Sequence, residues 1–63
     1  MKPRIKEIRK SKGLVQKFVA EQMEMTPTQL SDWESGRKYP RIDKAYKLAA
    51  VLGVDIQDLY EVK

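Results

Sequence analysis

Along the 63 residues, apolar positions recur at three- and four-residue spacing and are interrupted by turn-forming residues, the pattern of short amphipathic helices. Ile5 and Ile8, with Arg9 one step further round, give a first helix over about residues 3–12, framed by Pro3 and by Gly13 just past its end. Leu14 anchors the connection. Val15, Val19 and Met23, with Ala20 beside them, then predict a second helix over about 16–23. Phe18 fits that face poorly and is expected to be partly exposed, packing against the first helix, with a protein contact as the alternative. Glu24 and Met25 form a turn, with Met25 directed into the core. Thr26-Pro27-Thr28-Gln29 is a strong start signal for a third helix over 27–35. The Thr26 hydroxyl can cap, Pro27 suits the first helical position, and Gln29 can reach back to complete a capping box. Leu30 and Trp33 face inward in that helix, while Thr28, Gln29 and Asp32 face outward. Gly36 ends it.

A fourth helix over 42–52 carries Ile42, Ala45, Leu48, Ala49 and Leu52 on its apolar side and stops at Gly53. Asp55 can cap a short fifth helix at 56–61, whose Leu59 turns back to the core. Val51-Leu52-Gly53-Val54 is β-like in composition, but the periodicity on both sides favours helix, so no strand is expected. The expected fold class is all-α: five short helices in one domain spanning residues 1–63, with no tag, linker or repeat, as in a complete chain.

Composition narrows the chemistry. A domain of this size buries only about 60% of the surface its unfolded chain exposes. The chain has no Cys and no His, which excludes disulfides and a thiolate zinc site and removes the commonest general base. Too short to enclose a sizeable pocket, it is not expected to be an enzyme or to hold a cofactor or metal. There is no apolar run near the roughly 20 residues of a membrane span and no signal-peptide core. A soluble cytoplasmic protein without membrane partners is the expectation.

The net charge of +4 and pI near 9.5 favour an acidic partner. Distribution says more than the total. Residues 1–13 carry six Lys/Arg against Glu7, and residues 37–47 carry five against Asp43. Residues 14–36 hold only Lys17 against Glu21, Glu24, Asp32 and Glu34. Two basic clusters bracket an acidic centre, which suits a centre that reads bases and flanks that hold phosphates. Ordinary charge scatter on a solvated surface is the plain alternative.

Ile5 to Arg9, Gly13-Leu14-x-Gln16, Val19-Ala20, Leu30, Trp33-Glu34-x-Gly36, Pro40 and Leu48-Ala49-x-x-Leu52-Gly53-Val54 occur in the order and at the spacing of a known family. Through them the chain resembles the Cro and lambda-repressor type (XRE) helix-turn-helix family over nearly its whole length. The resemblance implies a compact five-helix lambda-repressor-like domain whose second and third helices, about 16–35, form the helix-turn-helix. It places Pro27, Thr28, Gln29 and Asp32 where family members meet base edges. Thr28 can bond a base or touch a thymine methyl, Gln29 can pair with adenine unless capping occupies it, and Asp32 can only accept, as from cytosine N4. Gln16 is similar to the family's phosphate-binding Gln, which also braces the recognition helix. Arg37, Lys38, Tyr39 and Arg41 fall where the family contacts phosphate, with Arg41 also within reach of a minor-groove edge. Arg9 and Glu34 match a structural ion pair between the first and third helices, and Trp33 reads as core.

Three positions depart from the family. Glu24 stands where Gly is usual in the turn, Val15 where a Ser or Thr cap is common, and Arg41 where a small polar cap precedes the fourth helix. The function implied is a prokaryotic or phage transcriptional regulator, a repressor, that binds a palindromic double-stranded operator, nucleoid-associated and dimeric at least on DNA. Val54, Ile56, Tyr60 and Val62 are the apolar candidates for a dimer contact. The alternative keeps the fold as a protein-interaction module, antirepressor or antitoxin-like, with the acidic centre facing protein.

Overall fold

The computed structural model describes residues 2–61. Four α-helices, α1 (Ile5–Ser11), α2 (Gln16–Gln22), α3 (Pro27–Ser35) and α4 (Ile42–Leu52), precede a 3-10 turn at Ile56–Leu59. Two short strands, β1 (Lys2–Pro3) and β2 (Tyr60–Glu61), pair antiparallel, with Lys2 opposite Glu61 and Pro3 opposite Tyr60. The five-helix expectation is corrected to four, and so is the absence of strands: residues 56–61 divide between one 3-10 turn and β2. Pro3, expected to open α1, instead lies in β1, and α1 begins at Ile5. The Arg4 N–H, donated to the Leu59 carbonyl at 2.8 Å, continues the tie between the two ends of the domain.

One core joins the helices. Ile5, Val19, Met23, Leu30, Leu48, Leu52 and Leu59 are its largest fully buried side chains, and Leu14, Met25, Trp33, Val54, Ile56 and Tyr60 pack against it. Ala20 and Ala49 are buried among them. Val54, Ile56 and Tyr60 are thus partly used by the domain's own core; Val62 lies outside the described residues.

Three apolar side chains are exposed, of which Ile42 and Val15 depart from expectation. At 100° per residue, Phe18 points about 150° from the centre of the buried set Val19, Ala20 and Met23, and it is 42% exposed. Ile42 lies about 70° from the centre of the α4 buried set and is 68% exposed. Val15 has extended backbone, φ −87° and ψ 153°, ahead of the first helical residue, so the helical period does not govern it and it is exposed.

All four helices end alike. Leu14, Met25, Arg37 and Val54 each donate their N–H to the carbonyl five residues back, at 2.9–3.0 Å, and the residue before each is left-handed. Three of those residues are Gly13, Gly36 and Gly53; the fourth is Glu24, at φ 56°. A side chain in this conformation costs on the order of 1 kcal/mol, which glycine avoids. The strain is tolerated because Met25 gains its place against the core and α3 starts in the required direction.

Candidate nucleic-acid interface

The N-terminal end of α3 is built as the sequence requires. Thr26 is extended, φ −80° and ψ 153°, and Pro27 occupies the first turn. The Gln29 N–H donates to Thr26 Oγ1 at 3.2 Å, and the Thr26 N–H donates to Gln29 Oε1 at 3.1 Å. This reciprocal pair leaves Pro27, Thr28 and Gln29 exposed on a fixed turn. It also engages the Gln29 carboxamide oxygen. Its two N–H donors stay available, but the donor-plus-acceptor pairing that adenine requires then has to share or release the cap.

From beneath, α3 is held by Leu30, fully buried, and by a polar cluster at Glu34. Arg9 Nε donates to Glu34 Oε2 at 2.7 Å, and its terminal nitrogens donate to Glu34 Oε1 at 3.4 Å and to the Leu14 carbonyl at 2.8 Å. Gln16 Nε2 donates to Glu34 Oε1 at 3.0 Å. The side chains of Arg9 and Glu34 are only 10% and 4% exposed, so this is an ion pair in poor contact with solvent. The Glu34 carboxylate thereby ties α3 to α1 and to the first residue of α2, and Arg9 ties in the loop behind α1. Gln16 braces α3 through this bond.

At the other end of α3, Asp32 and Arg37 are brought together, which the sequence reading did not foresee. Arg37 Nε donates to Asp32 Oδ1 at 3.0 Å. The N–H groups of Arg37 and Lys38 donate to the Asp32 carbonyl at 3.0 and 3.3 Å. The available signal was the left-handed Gly36, which folds the chain back so that Arg37 returns to Asp32. Tyr39, half exposed, lies 5.6 Å from Tyr60 between ring centroids, tilted at 47°. The Tyr60 hydroxyl is the one buried side-chain polar atom without a hydrogen-bond partner among the described residues. Lys38 and Arg41 are exposed, Arg41 with extended backbone and no side-chain cap on α4. Trp33 is half-buried against the core, as expected. Among the described residues no cluster of His, Cys, Asp and Glu could hold a metal, and no helix is long and apolar enough to cross a membrane.

Two consecutive helices in tight succession, the second with a capped, polar, exposed first turn and a basic loop beyond it, define a helix-turn-helix domain of the DNA-binding class. The family model for helix-turn-helix matches residues 5–59, and the chain belongs to that family, in its Cro and lambda-repressor (XRE) type. It is 32% identical over 56 residues to the HTH-type transcriptional activator BcrR of Enterococcus faecalis, covering 89% of this chain and 28% of that protein. It is 34% identical over 58 residues to the HTH-type transcriptional regulator DdrOP3 of Deinococcus deserti, covering 92% of this chain and 45% of that one. The chain therefore spans less than half the length of either relative. DNA binding in transcription regulation is the work of this class.

Proposed function

We propose that the protein is a sequence-specific double-stranded DNA-binding regulator that inserts the N-terminal end of α3 into the major groove. The observation that carries this reading is the capped turn itself: Pro27, Thr28 and Gln29 stand exposed on a helix start fixed by the Thr26–Gln29 exchange and backed by Leu30 and the Arg9–Glu34–Gln16 cluster. Base reading needs side chains held in register, and this end of α3 is held from two sides. Thr28, with Pro27 beside it, and the free amide donors of Gln29 meet base edges at one end of the reading surface; Asp32 lies one turn further along. Lys38, Tyr39 and Arg41 follow α3 as phosphate contacts, Tyr39 set by its packing on Tyr60, and Gln16 contributes a phosphate contact from the start of α2. Binding across a promoter would act as repression, by occlusion, inside the cell and at the nucleoid. Two copies on a palindromic operator would place half-sites about one helical turn apart.

The interaction-module alternative rested on an acidic centre facing protein. Asp32 is paired with Arg37, and Glu24 lies 3.8 Å from Lys47, so two of those carboxylates already have cationic neighbours. This favours the DNA reading. Selection of bound duplexes from a random pool, followed by sequencing, tests it. A recurrent motif is expected, with twofold symmetry if the working form is a dimer. Recovery of unrelated sequences at moderate salt would refute sequence-specific reading.

A further inference from the structure

We infer that Asp32 and Arg37 work as one recognition unit that reads a guanine, with Arg37 as a base-contacting residue and not a phosphate clamp. The inference rests on the DNA-reading function proposed above and names one base of its target.

Arg37 is not a free basic side chain in a loop. Gly36, at φ 84°, turns the chain back on α3, and the Arg37 N–H bonds the Asp32 carbonyl at 3.0 Å, which fixes the start of the side chain beside Asp32. The Nε–H then bonds Asp32 Oδ1 at 3.0 Å. A guanidinium has five N–H donors in one plane. With Nε occupied, four remain on the two terminal nitrogens, and this fork fits the O6 and N7 acceptors of guanine in the major groove. The carboxylate fixes the plane of that fork before DNA arrives. Asp32 lies one helical turn after Thr28 and therefore on the same side of α3.

Electrostatics points the same way. An unpaired carboxylate on a DNA-facing helix would be repelled by the phosphates, whereas the Asp32–Arg37 pair is neutral overall and presents donors. Stability does not account for the pair: the Arg37 side chain is 68% exposed, and exposed ion pairs contribute little. Were Arg37 to swing to a phosphate, it would leave Asp32 uncompensated beside the polyanion. Lys38 and Arg41 can take phosphates without that conflict. Asp32 keeps its second oxygen, an acceptor suited to cytosine N4, so both halves of the pair favour a G·C step.

The test uses the full chain, the duplex recovered by selection, its single-base variants, and a version carrying 7-deazaguanine, which lacks the N7 acceptor, at each guanine in turn. For the wild type, one guanine per recognition site is expected at which base change or 7-deaza substitution weakens binding about tenfold or more. Arg37→Ala should abolish that preference and leave the preferences at other positions in place, whereas Arg37→Lys, whose ammonium still donates to guanine but has no Nε–H for Asp32 to hold, should keep only part of it. Asp32→Ala should blunt the same preference, together with that for the cytosine its second oxygen faces, and no other. The inference is overturned if Arg37→Ala keeps the wild-type base profile and weakens all duplexes alike with a salt slope shallower by about one, the behaviour of a phosphate contact. It also falls if the wild type selects a motif with no such guanine. A wild type that selects no motif at all sinks the DNA-reading function itself, which separates the two failures.

Discussion

Arg9→Ala breaks the buried ion pair beneath α3 without touching the reading surface. Arg9 supplies two hydrogen bonds to Glu34 and one to the Leu14 carbonyl, and the pair is 10% and 4% exposed. Removing one partner of such a buried pair costs about 3–5 kcal/mol, because the remaining charge is left desolvated; Gln16 alone would then serve Glu34. A chain of this length has a total stability of roughly 3–9 kcal/mol at 0.05–0.15 kcal/mol per residue. The loss is thus comparable to the whole. At about 4–8 °C per kcal/mol for a small domain, the midpoint should fall by more than about 12 °C, and the variant will be substantially unfolded at ordinary growth temperatures. The assay is thermal and urea unfolding followed by far-ultraviolet circular dichroism. Arg9→Met combined with Glu34→Leu removes both charges and should recover part of the lost stability, since the orphaned carboxylate is gone while the Leu14 carbonyl and the Gln16 amide still lack their partners. A midpoint shift below about 5 °C in the single variant, or a double variant no more stable than the single, would refute a buried, mutually dependent pair.

The strained turn gives a prediction of opposite sign. Glu24→Gly removes a left-handed side chain, and its exposed contact to Lys47 at 3.8 Å is worth little. Stability should rise by about 1 kcal/mol, read as a higher melting midpoint; an unchanged or lower midpoint would mean that the turn carries no strain. Alkaline pH probes Tyr60, whose pKa is raised above the ordinary value of 10.0 by burial of its hydroxyl and, secondarily, by Tyr39. Between the ordinary and the raised value the unfolded chain has lost this proton while the folded chain keeps it, so stability falls as pH rises through that window and is complete below about pH 10. Tyr60→Phe should show a shallower alkaline loss of melting midpoint than the wild type, and equal slopes would contradict the assignment.

Much of the fold is carried by local signals. Thr26, Pro27 and Gln29 specify where α3 begins, and Gly36 where it ends, because caps and left-handed stops act within a few residues. The limits of α3 and α4 follow from the residues inside and beside them. The Arg9–Glu34 pair, by contrast, was legible only through resemblance: 25 residues separate the partners, and periodicity places each on a helix without saying that the helices meet. In the same way Thr28 could be assigned to the exposed side from helical spacing, whereas the division of Gln29 between capping and reading required the bond to Thr26.

What the sequence by itself determined is therefore the four α-helices to within about two residues, the limits of α3 and α4, most of the inward residues, and the basic flanks around an acidic centre. The tertiary structure alone decided three things. Strands of two residues have no periodic signal, so the pairing of Lys2–Pro3 with Tyr60–Glu61 arises only once the helices bring the ends of the domain together. Phe18 and Ile42 are apolar by composition, yet they point away from the buried sets of α2 and α4 and stay exposed. Asp32 and Arg37 look like separate outward charges until the left-handed Gly36 returns one to the other. Local chemistry sets each element; which surfaces meet depends on contacts between residues far apart in the chain.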